Sequence, residues 1–302
     1  RVVYTQWLNA QGGIEADVTV TRLSETAFLV VTLAISQRRD LAWLKRQIPD
    51  GAHAFATDVT SGLPMLALMG PKARALLRRI SPADFSDAAF PFGTSQEIDL
   101  GYARVRASRL TFVGEQGYEI YMPAEFATHV FDRILKAGAD LGLKMGGYFA
   151  INSLRMEKGY RHWSHDIGEE DTPLQAGLGF AVAMDKPGGF IGREALLAQK
   201  AAGPVTRRMV QLRLANTGVD APLMYHNEPI LRDGVIVGSV TSGAWGHRVG
   251  ASLGLGYVSH PEGVTDAWLG SGTWEVEIAW QRHPVTAQLR PWYDPKGERL
   301  KG

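Results

Sequence analysis

Along the first half of the chain the spacing of hydrophobic positions switches repeatedly between the period of a strand and that of a helix. Residues 18–23 and 27–31 are β-branched and aliphatic runs separated by Ser24-Glu25, a pattern that predicts a hairpin. Over 38–48 the apolar residues fall at Leu41, Leu44 and Ile48, a helical spacing ended by Pro49 and Gly51. Met65–Met69 reads as a buried strand, and Gly70-Pro71 opens a helix expected through Ile80, with proline in the first turn where its missing N–H costs nothing. Strands are expected over 102–107 and 110–122. A helix over 124–141 sets Phe126, Val130, Ile134 and Leu135 on one face, and another follows over Tyr148–Glu157. Strands and helices alternate without the long series of a doubly wound sheet, so the expectation is an α+β fold of ferredoxin-like units.

The pattern changes after residues 198–205, which contain Gly203-Pro204 and read as a linker. Short strands are expected over 209–214, Pro229–Arg232, 235–241, 253–258 and Trp274–Ile278, and helical periodicity nearly vanishes. Asp233-Gly234 between two of these runs is a strong hairpin signal. The expected organisation is therefore one domain over 1–197 and a small all-β barrel or sandwich over 205–302.

Composition narrows the field without naming a function. At 302 residues the chain is long enough for two cores, and 45% hydrophobic with 21% charged residues is an ordinary globular mixture. A formal net charge of +1 supplies no chain-wide field for nucleic acid or a membrane surface, and neither is expected as a partner. No cysteine occurs, which excludes a disulfide framework, a thiolate nucleophile and cysteine-held metal clusters, and is compatible with a reducing compartment. Apolar runs such as 28–31 and 66–69 fall far short of a bilayer's thickness. The opening Arg1-Val2-Val3-Tyr4 is neither an initiator methionine nor a signal peptide and reads as the middle of something larger.

Candidate chemistry sits at a few places. Gly12-Gly13 allows a sharp turn, and Asp17 follows it at the start of a strand. A carboxylate there either satisfies turn N–H groups or is held rigidly at a pocket mouth. Glu119 lies in an alternating strand between Tyr118 and Ile120. It either faces water or accepts two parallel hydrogen bonds from a flat donor edge. Arg155-Met156-Glu157-Lys158-Gly159 reads as a helix end with Gly159 as its cap. His162, His165, Asp166, Glu169, Glu170 and Asp171 are metal-ligating types, but the histidines lack a ligand spacing with a third partner, and a solvated polar loop is the reading. Gly250 to Gly254 lacks the strand–loop–helix setting of a nucleotide site.

Three of these segments occur in one order: Gly12-Gly13-Ile14 with Asp17, then Gly114-Glu115-Gln116-Gly117-Tyr118-Glu119-Ile120, then residues 154–160 followed by Asp166 and Glu170-Asp171-Thr172-Pro173-Leu174. Together they resemble the folate-dependent aminomethyltransferase family, which comprises the glycine-cleavage T-protein and the folate-binding portions of dimethylglycine and sarcosine dehydrogenases. The resemblance runs from Tyr4 to about Tyr293. The stretch from Arg155 to Arg161 and the Pro291-Trp292-Tyr293-Asp294-Pro295 ending look more like the dehydrogenase-fused members. By resemblance Asp17 is the catalytic residue and Glu119 the pterin-binding carboxylate, with Tyr4, Phe112, Tyr118 and Arg290 also cofactor-binding and no metal involved. Phe112 stands where T-proteins usually have tyrosine, keeping an apolar face for the pterin without the hydroxyl. Arg290 would meet the glutamate tail of the ligand, and equally reads as a surface arginine. As an ordinary strand aromatic Tyr4 would pack in a core. Leu33 replaces a ligand-facing asparagine.

The resemblance implies transfer of a one-carbon unit from a methylated amine, as an iminium or aminomethyl group, to tetrahydrofolate, giving 5,10-methylene-tetrahydrofolate. FAD is implied only with an upstream flavin domain, and a fused or associated flavin dehydrogenase domain is the expected partner besides the small-molecule amine. Because family members begin their folate domain before Arg1, N-terminal material is expected to be missing from the first domain. The expected compartment is the cytoplasm, or the mitochondrial matrix in a eukaryote. Two other functions stay open: a folate-dependent N-, O- or S-demethylating methyltransferase giving 5-methyl-tetrahydrofolate, and a non-catalytic folate-binding protein.

Overall fold

The structure, a computed structural model, describes residues 1–218 and 220–301. Its contacts sort the chain into two compact units, neither continuous in sequence. The first gathers Arg1–Tyr4, Thr19–Gly147 and the chain from Lys296, and the second gathers Thr5–Val18 and Tyr148–Pro295. Strands β1 (Val2–Leu8), β2 (Ile14–Arg22) and β3 (Phe28–Val31) form a sheet in that order. β2 and β3 are the expected antiparallel hairpin, with Thr19 opposite Val31 and Arg22 opposite Phe28.

The rest of the first unit comprises α1 (Gln37–Arg46), β4 (Met65–Met69), α2 (Ala73–Leu77), β5 (Ser95–Leu100), β6 (Ala103–Ser108), β7 (Gly117–Tyr121) and α3 (Ala127–Gly138). α2 ends earlier than the helix expected through Ile80, and Leu135 lies on the exposed side of α3, away from Val130 and Ile134. Strands β4 to β7 make an antiparallel sheet in the order β4-β7-β6-β5. Because side chains alternate along a strand, its two faces differ sharply. One carries Leu68, Ile98, Val105, Tyr118 and Ile120 into a core shared with Leu77 of α2, Val130 of α3, and Phe85 and Phe90. The other presents Glu97 and Asp99 of β5, Arg104, Arg106 and Ser108 of β6, and Glu119 and Tyr121 of β7. Charges on this second face pair across strands: Arg106 reaches Glu97 at 2.5 Å and Arg104 reaches Asp99 at 3.1 Å.

The second unit contains α4 (Tyr148–Glu157), α5 (Arg193–Ala201) and six strands: β8 (Arg207–Leu214), β9 (Pro229–Arg232), β10 (Val235–Gly246), β11 (Ala251–Ser259), β12 (Trp274–Ile278) and β13 (Gln281–Gln288). They close into a barrel in the order β10-β11-β8-β13-β12-β9, which removes the exposed edges an open sheet would have. Val210, Leu212, Ile230, Val240, Val258 and Val276 fill it. Asp233 and Gly234 take φ values of +52° and +79° between β9 and β10, the backbone twist that a two-residue hairpin turn requires. A short α6 (Asp266–Leu269) precedes β12, and α7 (Glu298–Lys301) ends the described chain. No helix among the described residues is long and apolar enough to cross a membrane.

The register of β10 slips between Val240 and Ser242, a bulge that re-aims Thr241. Its hydroxyl donates to Asp166 Oδ1 at 2.6 Å, while Asp166 Oδ2 accepts from Arg155 at 2.5 Å and from the His162 N–H at 2.9 Å. Arg155 also donates to Ser242 Oγ at 2.9 Å. Next along α4, Glu157 Oε1 accepts from the Arg248 and Val249 N–H groups, and Lys158 Nζ sits 3.1 Å from Asp294 Oδ2. Gly159 then turns with φ +61°, and a Cβ there would stand 1.9 Å from Gln211 Nε2. The charged motif at the end of α4 is thus a buried junction between helix, barrel and closing segment.

Candidate functional site

β7 places Glu119 on the polar face, opposite Ala67 of β4 and Ser108 of β6. Tyr121, two residues on and therefore on the same face, donates its phenol hydrogen to Glu119 Oε2 at 2.5 Å. Burial raises the Glu119 pKa above the ordinary carboxylate value, and the Tyr121 hydrogen bond opposes that rise. The tyrosine itself is pushed up by burial and by the neighbouring carboxylate. Arg104 and Arg106 on this face are engaged by Asp99 and Glu97, and no cation among the described residues pairs with Glu119. A half-buried carboxylate bonded to one neutral donor keeps acceptor capacity on both oxygens. It matches a flat edge carrying two N–H groups.

The six residues predicted from sequence divide between the units. Tyr4, Phe112, Tyr118 and Glu119 belong to the first, and Asp17 and Arg290 to the second. Phe112 is half-buried in the loop between β6 and β7, and Tyr4 is half-buried on β1. Tyr118 does not share Glu119's face, which corrects its placement among the cofactor-binding residues. It is fully buried in the opposite core, its ring edge-on to Phe85 at 5.6 Å and to Phe90 at 5.5 Å. Adjacent strand residues point to opposite sides, so Tyr118 and Glu119 cannot meet one ligand from one face. Tyr121 is the residue that sequence reading missed, and the same alternation could have found it. Arg290 is exposed beyond β13, its carbonyl accepting from Gln288 Nε2 at 2.9 Å. Leu33 is half-buried beside Thr32 and Ser36, whose hydroxyls both donate to the buried Asp40.

Asp17 is half-buried on β2 and accepts from Gln6 Nε2 of the neighbouring strand β1 at 2.8 Å. The turn leading to it is fixed at several points. Asn9 Oδ1 accepts from the Gln11 and Gly13 N–H groups at 3.0 and 2.9 Å. The Ile14 N–H reaches the carbonyls of Gly168 and Asp171 at 3.1 and 3.0 Å, and Trp163 Nε1 donates to the Ile14 carbonyl at 3.0 Å. Gly13 packs so closely here that an added Cβ would stand 1.7 Å from the Glu169 carbonyl oxygen. A backbone carbonyl yields less than a side-chain tip, so Gly13→Ala is expected to cost about 1–3 kcal/mol. The midpoint of urea unfolding measures it, and an unchanged midpoint would show that the turn relaxes freely.

The histidines do not assemble a metal centre. His162 Nε2 meets the Tyr148 hydroxyl at 3.2 Å, and its pKa is lowered, chiefly by burial. Among the described residues no group of three or more His, Cys, Asp or Glu is arranged to hold a metal ion.

Comparison with known proteins agrees with this architecture. Residues 1–186 match the GCVT N-terminal domain, and residues 207–294 match the glycine cleavage T-protein C-terminal barrel domain. The chain is 45% identical over 304 residues to 4-methylaminobutanoate oxidase (formaldehyde-forming) of Paenarthrobacter nicotinovorans, covering 100% of this chain and 35% of that protein. It is 35% identical over 317 residues to the mitochondrial sarcosine dehydrogenase of Homo sapiens, covering 99% of this chain and 34% of that one. The chain therefore spans about a third of the length of these curated relatives. Among solved structures, glycine cleavage system aminomethyltransferase T from Bartonella henselae aligns with a TM-score of 0.81 at 26% identity, over 98% of this chain and 76% of the other. With both of its domains represented and the barrel closed as the match requires, the chain belongs to the glycine-cleavage T-protein family.

Proposed function

We propose that this chain transfers a one-carbon unit from an N-methylated amine to tetrahydrofolate, yielding 5,10-methylene-tetrahydrofolate and the demethylated amine. The observation that carries the reading is Glu119, a half-buried carboxylate whose hydrogen-bond partner is one phenol and whose two oxygens retain acceptor capacity. The 2-amino-pyrimidinone edge of a pterin offers two parallel N–H donors, which a carboxylate accepts as it accepts the fork of a guanidinium. When bound, tetrahydrofolate supplies the nitrogens that take up the carbon, and the FAD of an associated dehydrogenase part supplies the preceding oxidation of the amine. Names of the relatives favour an N-methyl donor, since one is an oxidase of 4-methylaminobutanoate and another a dehydrogenase of sarcosine.

The remaining roles belong to the protein's own side chains. Asp17, held by Gln6, stabilises the positive charge of the incoming iminium and takes up the proton released as the new carbon–nitrogen bond forms, directly or through water. Phe112 and Tyr4 lend aromatic surface to the pterin, and Arg290 offers a two-pronged partner for a carboxylate tail. These residues contribute positioning more than chemistry.

The test supplies the intact protein with an N-methylated amine, an electron acceptor and tetrahydrofolate, then identifies the folate product by mass spectrometry. Methylene-tetrahydrofolate with stoichiometric demethylated amine is expected. Recovery of 5-methyl-tetrahydrofolate would instead favour the demethylating methyltransferase. In parallel, Glu119→Gln is expected to weaken binding of 5-formyl-tetrahydrofolate about tenfold or more, because it removes a charged acceptor. Failure of the wild-type protein to bind any reduced folate by calorimetry would overturn the proposal.

A further inference from the structure

From Tyr121 and its neighbours we infer that this tyrosine is a positioning residue for folate recognition: its hydroxyl anchors Glu119 Oε2 so that the carboxylate turns both oxygens to the two-donor edge of a reduced pterin. The inference rests on the reading of Glu119 proposed above.

The geometry carries it. Each carboxylate oxygen has two lone-pair directions. The phenol, lying two residues along the same strand and 2.5 Å away, occupies one direction of Oε2 alone. Three remain, enough for a bidentate contact with a ligand. Glutamate has three side-chain torsions, and in the absence of an anchor each binding event would have to freeze them. Tyr121 is itself 6% exposed, set opposite Met65 of β4 and Arg106 of β6, so its hydroxyl is held by a packed ring.

No other group on the face competes for this role. β4 contributes Met65, Ala67 and Met69, none of which titrates. β6 contributes Arg104, Arg106 and Ser108, and β5 contributes Ser95, Glu97 and Asp99. Arg104 and Arg106 are spent on Asp99 and Glu97, and Ser108 Oγ lies 3.1 Å from Ser95 Oγ. The ionisation of Glu119 is accordingly shaped by burial, which favours the neutral acid, and by Tyr121, which favours the anion. Removing the hydroxyl leaves burial unopposed. The carboxyl then protonates at higher pH, and a protonated carboxyl no longer accepts two N–H donors.

The experiment titrates the intact protein with 5-formyl-tetrahydrofolate by calorimetry from the acid into the neutral range, for wild type, Tyr121→Phe and Glu119→Gln. For Tyr121→Phe the expected result is about tenfold weaker binding at neutral pH. The acid limb of the affinity curve should also move to higher pH, and the KM for folate should rise while kcat is largely kept. Unchanged affinity and an unmoved acid limb would overturn the inference. So would weaker binding with the acid limb in place, because that pattern assigns the ring a packing role only. Glu119→Gln separates the two levels. If it binds as tightly as wild type, the pterin reading itself fails. If it binds weakly while Tyr121→Phe matches wild type, the role of Tyr121 fails and the pterin reading stands.

Discussion

Asp17→Ala is expected to slow one-carbon transfer by about 10²–10³-fold, the effect of withdrawing one well-aimed charged group from a reacting centre. Reduced-folate affinity should be largely kept, because Asp17 is assigned to charge and proton movement and not to holding the pterin. The carboxylate is suited to such a task by its rigidity. Gln6 fixes one oxygen at 2.8 Å, and the turn that delivers the strand is tied to the carbonyls of Gly168 and Asp171. A group already in place undergoes little rearrangement as charge develops, the condition under which electrostatic stabilisation is greatest. Asp17→Asn refines the test, since it keeps the shape and a contact with Gln6 but loses the charge. It should fall close to alanine in rate. Single-turnover transfer gives the rate and calorimetry the affinity, and a wild-type rate in Asp17→Ala would remove the catalytic assignment.

Asp166→Ala is expected to destabilise the protein by about 3–5 kcal/mol, the cost of leaving a buried guanidinium without its partner. Side-chain exposures of 4% for Arg155 and 0% for Asp166 leave water little access to replace what is lost. The His162 N–H and the Thr241 hydroxyl would lose their acceptor as well. The double replacement Arg155→Met with Asp166→Leu should recover only the part of the loss due to the unpaired charge, because the His162 N–H and Thr241 hydroxyl stay without their acceptor. Urea unfolding of the wild type and the two variants tests this. A loss below about 1 kcal/mol in the single variant would place the pair in the weak class of solvated ion pairs.

How far the sequence disclosed these features depended on how much of each element the core dictates. Met65–Met69 was legible because Pro64 and Gly70 bound a short apolar run, and the helix read at roughly Tyr148–Glu157 was found there, its start following Gly146-Gly147. β5 was not, since only Ile98 and Leu100 face the core while Glu97 and Asp99 face outward into ion pairs. β13 hides behind a polar Gln281-Arg282-His283 start and a proline. In the fold Pro284 sits opposite Glu275, with Val285 and Ala287 turned inward. α5 overlaps the stretch read as a linker, where alanines give weak periodicity. At the candidate site, the resemblance singled out Asp17 and Glu119, but it could not tell Tyr118 from Tyr121, a distinction that one step of strand alternation decides. The partners that fix the turn ahead of Asp17 come from far along the chain, Trp163 lying 149 residues beyond Ile14, and no local pattern announces such a contact.

That separation bears on how the protein is made. The polypeptide leaves its first unit after Tyr4, returns at Thr19, leaves again after Gly147 and comes back at Lys296. On the ribosome, the segment bearing Asp17 emerges before the loop that anchors its turn, and stays without it until residues 163–171 have been synthesised. Contacts so remote in sequence close slowly, and the waiting chain exposes unpaired strands while they do. A premature stop within the barrel would therefore leave the strand bearing Asp17 in a second unit that never gains its last strands, although residue 17 had been translated before them.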